Sequence, residues 1–123
     1  MNLPKSEEQV MQVLWQKQTA YMKDIIEAYP EPKPASTTIS TLLTRLMAKG
    51  AVGYTQHGKV RAYHAIWKKE AYFSDHFTGV IKHFFDNSVS QFASFFTSEG
   101  QMSEEQLEEL QAIVEAQIKA RKK

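Results

Sequence analysis

The spacing of hydrophobic and polar residues divides the chain into a front part of mixed structure and a helical rear part. Apolar residues at helical spacing predict helices near residues 6–17, 21–29 and 36–50. After Gly50 the hydrophobic period falls to two, which predicts strands at 51–56 and 60–66, joined by a turn at residues 57–59. Helical spacing then returns and predicts three more helices, at residues 71–85, 88–100 and 103–118.

Serine residues are candidate N-caps for four of these helices. The tetrapeptide SEEQ occurs at residues 6–9 and again at 103–106, and this pattern is typical of a capping box. Ser6 and Ser103 are therefore expected to cap their helices, and Ser88 is expected to cap another. In the third helix Ser36 is the candidate cap.

The third predicted helix carries an apolar side and a side rich in hydroxyl groups. Its four threonines are β-branched, so they are a poor choice for a helix that only has to be stable. Short hydroxyl side chains beside one arginine can instead approach a DNA major groove. The alternative is a surface helix that happens to be rich in threonine. The candidate DNA-binding residues are Ser36, Thr37, Thr38, Ser40, Thr41, Thr44 and Arg45.

The predicted hairpin directly follows this helix and carries two cations near its tip. Gly58 can adopt the positive φ that a tight turn needs. Lys59 and Arg61 can reach backbone phosphates or an adjacent minor groove, as the wing of a winged helix does. The alternative is a solvated hairpin with two ordinary surface cations. We therefore interpret residues 1–70 as a winged-helix DNA-binding domain.

The rear part, residues 71–123, holds all seven phenylalanines of the chain. Three short helices are too small to bury the apolar surface of so many phenylalanine side chains by themselves. We therefore expect them to pair with a second copy as a homodimer. Two alternatives remain: the helices fold back onto the winged helix of the same chain, or the aromatic residues form a pocket for an apolar ligand. The candidate dimerisation residues are Phe73, Phe77, Val80, Ile81, Phe84, Phe85, Phe92, Phe96, Leu107, Leu110, Ile113 and Val114.

Composition narrows the class of protein further. Residues 1–70 carry a net charge of +4 and residues 71–123 a net charge of −3, so the basic part suits a polyanion. The absence of cysteine excludes disulfides and thiolate zinc sites, and the four scattered histidines do not predict a metal site. We find no catalytic motif, no cofactor motif, no signal-peptide core and no apolar run long enough for a membrane span. A cytoplasmic protein that is not an enzyme is expected.

Several runs of the sequence together resemble the penicillinase-repressor (BlaI/MecI-type) family of bacterial winged-helix transcriptional repressors. They are EQVMQVLW at residues 8–15, TTISTLLTRL at 37–46, GKVRAY at 58–63 and SEEQLEEL at 103–110. The resemblance implies a homodimer that binds palindromic operators near TACA/TGTA half-sites and blocks transcription. It implies that Thr37, Thr38 and Thr41 face double-stranded DNA, and that Lys59 and Arg61 lie on the wing.

Four departures from the family pattern are present. Ala35 stands where relatives carry a serine N-cap, so the expected cap is displaced to Ser36. Ser40 stands where relatives usually carry an arginine that can read guanine, so the operator preference or the affinity is expected to differ. Relatives that respond to β-lactams are cleaved by a regulatory protease near an Asn-Phe bond. In this chain Phe95-Phe96 stands at the comparable place. The copper-responsive relatives end in a cysteine cluster, which this chain lacks.

The sequence therefore predicts a mainly α fold with a small β-hairpin wing, in which a winged helix-turn-helix precedes a C-terminal helical dimerisation domain. The predicted function is a sequence-specific, dimeric transcriptional repressor. Two other functions stay open: a winged helix that binds a protein partner, and a small-ligand sensor with an aromatic pocket.

Overall fold

A computed structural model describes residues 2–100 and 102–122 of the protein. That part of the chain forms both helices and short strands in its first half and only helices in its second half. In chain order the elements are α1 (Lys5–Lys17), β1 (Thr19–Ala20), α2 (Met22–Glu27), α3 (Ser36–Ala48), β2 (Val52–His57), β3 (Val60–Ala65), α4 (Lys69–Phe84), α5 (Val89–Glu99) and α6 (Glu104–Arg121).

Backbone contacts divide the chain into two compact units, Met1–Phe77 and Thr78–Lys123. The division falls inside α4, whereas the sequence placed a boundary after residue 70, near the start of that helix. The first unit contains the whole sheet and the first three helices, and the second contains α5 and α6.

The three strands of the first unit form one antiparallel sheet in the order β1-β3-β2. The hairpin β2–β3 was predicted, but its turn is shorter than expected, because His57 pairs with Val60 and leaves two residues between them. Gly58 has a φ of 64°, as the tight turn requires. Strand β1 was not predicted, because two residues are too few to show an alternating pattern.

The core of the first unit is built from the apolar sides of its helices and the inner face of the sheet. Each helix places these residues at helical spacing, so burying one side leaves the polar side outside. The largest fully buried side chains belong to Val10, Met11, Leu14, Ile25, Ile39, Leu43 and Leu46.

Two of the four predicted serine caps are wrong and two are confirmed. α1 begins at Lys5 with Pro4 as its N-cap, so Ser6 already lies within the helix. α3 likewise begins at Ser36 itself, after Ala35 in an extended conformation without a capping side chain. Ser88 and Ser103 do accept hydrogen bonds, from the backbone N–H groups of Gln91 and Gln106 respectively.

Aromatic residues attach the start of α4 to α1 within the first unit. The indole Nε1 of Trp15 donates to the carbonyl of Trp67 at 2.9 Å, and the ring of Tyr72 lies against both tryptophans. The hydroxyl of Tyr72 donates to Oε2 of Glu8 at 2.9 Å and accepts from the N–H of Leu3. Burial, and then the hydrogen bond to Glu8, raise the pKa of the Tyr72 phenol above its usual value.

A partly buried ion pair joins the first turn of α1 to the C-terminal end of α3. The side chain of Glu7 is 3% exposed, and its carboxylate is paired with the ammonium group of Lys49, whose side chain is 39% exposed. A buried carboxylate that loses its partner keeps the penalty of desolvation. An ammonium group that loses its partner here can be rehydrated from solvent.

The second unit buries much less apolar surface. Within its described part, Ile81 is the only buried residue, and neither α5 nor α6 buries a side chain. Phe85 packs against Phe92 and Phe95, with ring centroids 5.5 and 5.7 Å apart. The described residues include no helix with the length and hydropathy needed to cross a membrane.

The ion pair predicts that its two halves contribute unequally to stability. Lys49→Met should lower the free energy of unfolding by ~2–3 kcal/mol, because it leaves Glu7 buried without a partner, whereas Glu7→Gln should lower it by ~1 kcal/mol. Urea unfolding of both variants measures the difference, with Lys5→Met as the control at an exposed lysine. Equal losses for the two variants would show that the burial of Glu7 does not decide the energetics.

Candidate nucleic-acid interface

The outer side of α3 presents the polar residues that the sequence singled out. Burial of Ile39, Leu42, Leu43 and Leu46 against the core fixes the rotation of the helix about its axis. The polar positions of the helix form one continuous surface, called here the α3 face. Its residues are all exposed, and they are Ser36, Thr37, Thr38, Ser40, Thr41, Thr44 and Arg45.

Two of the threonine hydroxyls on the α3 face already use their protons. Oγ1 of Thr41 donates to the carbonyl of Thr37 at 3.0 Å, and Oγ1 of Thr44 donates to the carbonyl of Ser40 at 2.9 Å. This bond to the preceding turn is common for threonine in helices. In this conformation each of the two hydroxyls can only accept a hydrogen bond from a ligand, and each side chain also carries a methyl group.

Arg45 and Lys49 lie near the C-terminal end of α3 but differ in availability. Lys49 is paired with Glu7. Arg45 is exposed, and its guanidinium group has no ion-pair partner among residues 2–100 and 102–122. Arg45, a candidate DNA-binding residue from the sequence, therefore faces solvent.

The hairpin places Lys59 and Arg61 on the surface, and a tyrosine holds one of them. Both cations are exposed. The guanidinium carbon of Arg61 lies 4.1 Å from the centre of the Tyr54 ring, which is the geometry of a cation–π contact. Tyr54 pairs across the strands with Tyr63, so Arg61 is its diagonal neighbour on the same face. Sequence analysis did not identify Tyr54, although the hairpin register would have shown this neighbour.

A groove beside the hairpin contains a further cation that sequence analysis missed. It has a volume of about 920 Å³ and lies between α2 and the hairpin, so it is called here the α2–hairpin groove. Lys23 enters it from α2, and Lys59 and Arg61 enter it from the hairpin. The other lining residues are Tyr21, Met22, Ile26, Gln56, Val60 and Tyr63.

Among the described residues, no group of three or more His, Asp or Glu side chains is arranged to hold a metal ion. His57 instead makes an edge contact with the ring of Tyr21, and His76 stacks on Tyr72.

The fold and the exposed faces define a winged helix-turn-helix: three helices, a three-stranded antiparallel sheet with a hairpin, and a polar outer side on the third helix. The solved structure described as "Solution structure of the DNA binding domain of the repressor BlaI" is similar, with a TM-score of 0.51 and 26% sequence identity. The match covers 58% of this chain and 88% of that one. The predicted fold class is thereby confirmed.

The full length of the sequence points to one family. The family profile described as "Penicillinase repressor" matches residues 3–116. The penicillinase repressor of Bacillus licheniformis is 28% identical over 119 residues, covering 96% of this chain and 92% of the relative. The chain belongs to the penicillinase repressor family, which is a family of transcriptional repressors and not of enzymes.

The α3 face predicts that its threonines are not there for stability. Thr41→Ala and Thr44→Ala should each leave the free energy of unfolding unchanged or raise it by up to ~0.6 kcal/mol, because both positions are exposed and alanine is the better helix former. Leu43→Ala, on the buried side, should lower it by ~2–5 kcal/mol. A clear loss of stability in the threonine variants, measured by urea unfolding, would assign them a structural role instead.

Proposed function

We propose that the protein is a sequence-specific DNA-binding repressor that acts as a homodimer on palindromic operators. The observation that carries this proposal is the α3 face, an exposed row of short hydroxyl side chains on the third helix of a winged helix. The family, and the similarity of the first unit to the DNA-binding domain of the repressor BlaI, support the same conclusion.

In the proposed complex α3 enters the major groove of double-stranded DNA. A major groove is about 12 Å wide and admits one helix whose side chains are short. The methyl groups of Thr37, Thr38 and Thr41 can contact thymine methyl groups, while their hydroxyl oxygens remain available as acceptors. Ser40 offers a hydroxyl group in place of a guanidinium group, so this position reads the base edge more weakly than an arginine would.

The hairpin would supply DNA contacts that do not depend on the base sequence of the duplex. Lys59 and Arg61 would neutralise backbone phosphates beside the major groove, and such contacts set the register of a protein on the duplex. Arg61 already rests on the Tyr54 ring in the free protein, so less side-chain freedom would be lost on binding.

A homodimer accounts for the apolar surface that the chain leaves exposed. Phe84 is 78% exposed, Phe73 is 63% exposed and Ile113 is 60% exposed. Exposed apolar surface of this extent marks an interaction site. A second copy presents the same surface, and a two-fold dimer would bury both at once.

The dimer would in turn explain a palindromic operator. Two copies related by a two-fold axis present two α3 faces in opposite orientations, so they read two inverted half-sites. Cleavage by a protease is not part of this proposal. The Phe95–Phe96 bond lies inside α5, and this helix would have to unwind before the bond could be cleaved.

Selection of bound duplexes from a random library tests the proposal directly. The unmutated chain should enrich a palindrome and bind it far more tightly than scrambled DNA. Thr41→Ala should then weaken operator binding about fourfold, since one methyl contact is worth ~0.8 kcal/mol, while Thr41→Val should retain most of the affinity. Equal affinity of Thr41→Ala and the unmutated chain for the operator would show that Thr41 does not contribute to DNA binding. If no duplex sequence is enriched, specific recognition is refuted.

The dimer predicts the effect of a charge placed at its expected interface. Phe84→Asp should produce monomers in light scattering, because the partner would have to bury a carboxylate without a counter-charge. Ser90→Asp places the same charge at an exposed polar position of α5 and should leave the dimer intact. A monomeric unmutated protein, or an unchanged mass in Phe84→Asp, would contradict the proposed interface.

A further inference from the structure

We infer that the DNA interface extends beyond α3 and the tip of the hairpin into the α2–hairpin groove, where Lys23 contacts the sugar-phosphate backbone of the same duplex. This inference rests on the proposed function and adds a residue and a surface to it. The occupant is the backbone rather than a base edge, because the groove presents its charge on flexible side chains and carries no row of short polar groups.

The charges that line the groove are all of one sign. Lys23 on α2 faces the same space as Lys59 and Arg61 on the hairpin, and no carboxylate lines the groove among the described residues. The neighbouring acid, Asp24, does not line the groove, and its Oδ2 accepts a hydrogen bond from the N–H of Tyr21 at 2.9 Å. Three cations at the edge of one groove are typical of a site that follows a chain of phosphates.

Lys23 is also available for a ligand, unlike Lys33 and Lys49 of the first unit. Its side chain is exposed and has no hydrogen-bond or ion-pair partner in the described part of the chain. Lys33, in contrast, donates to the carbonyls of Glu27 and Tyr29 at the end of α2, and Lys49 is paired with Glu7. The fold therefore uses those two cations and leaves Lys23 to solvent.

The remaining lining suits the uncharged part of a nucleic-acid backbone. Met22, Ile26 and Val60 offer apolar surface between the cations, against which deoxyribose can pack. The exposed Tyr21 adds a phenolic hydroxyl, one of the groups that commonly donate to phosphate oxygens. The groove is continuous with the proposed interface, because Lys59 and Arg61 belong to both.

The salt dependence of DNA binding tests this inference. The logarithm of the binding constant falls with the logarithm of the salt concentration, with a slope of about −0.9 per neutralised phosphate on a duplex. Lys23→Gln should reduce the magnitude of this slope by ~0.9. It should also lower the affinity for the selected operator and the affinity for scrambled DNA by a similar factor. Lys23→Arg should retain the slope of the unmutated chain.

The matched control removes the same charge from a different cleft of the first unit. Lys69 lines a cleft between α1 and α4, so Lys69→Gln should leave both affinity and slope unchanged. If the unmutated protein selects an operator but Lys23→Gln has the same slope as the unmutated chain, the inference is overturned and the proposed function stands. With that outcome, the basic α2–hairpin groove would be better suited to binding an acidic peptide than DNA. If the unmutated protein binds no duplex, both are overturned.

Discussion

The burial of one side of α3 is the constraint on which the candidate site depends. Ile39, Leu42, Leu43 and Leu46 enter the core together, and neighbouring residues of a helix point about 100° apart. A rotation by one residue would bring threonine hydroxyls into the core and expose leucines. The packing that stabilises the first unit therefore also determines which side chains reach a ligand, and the orientation of the α3 face needs no interaction of its own.

The two units meet the requirement to bury apolar surface in different ways. The first unit encloses its own apolar residues, with helices on a small sheet and the Trp15–Tyr72 contact securing the start of α4. The second unit keeps several phenylalanines exposed and has Ile81 as the one buried residue of its described part. Its helices are well capped, so the deficit lies in packing and not in local helix formation. This contrast is why a second copy enters the proposal at the rear unit.

The basic residues of the front half differ in role: some stabilise the fold, and others are exposed to solvent. The front half is basic, but part of that charge stabilises the fold: Lys49 neutralises the buried Glu7, and Lys33 donates to the end of α2. The cations of the α2–hairpin groove and Arg45, in contrast, are exposed to solvent. A net charge summed over residues cannot separate these two groups, because it contains no information on which carboxylate or carbonyl lies within reach of each ammonium group.

Hydrophobic periodicity by itself determined the helices, the hairpin and the identity of the buried side of α3, because regular elements have fixed repeats that mark the chain locally. Only the tertiary structure decided the points at which distant residues meet. Strand β1 exists because β3 offers it a partner, although its two residues show no period of their own. The helix starts at Lys5 and Ser36 differ from the local serine signals, and Glu7 and Glu8 of the first SEEQ run are engaged by Lys49 and Tyr72. Tyr54 and Lys23 joined the site only through the hairpin register and the packing of α2, since contacts across tens of residues leave no local pattern in a sequence.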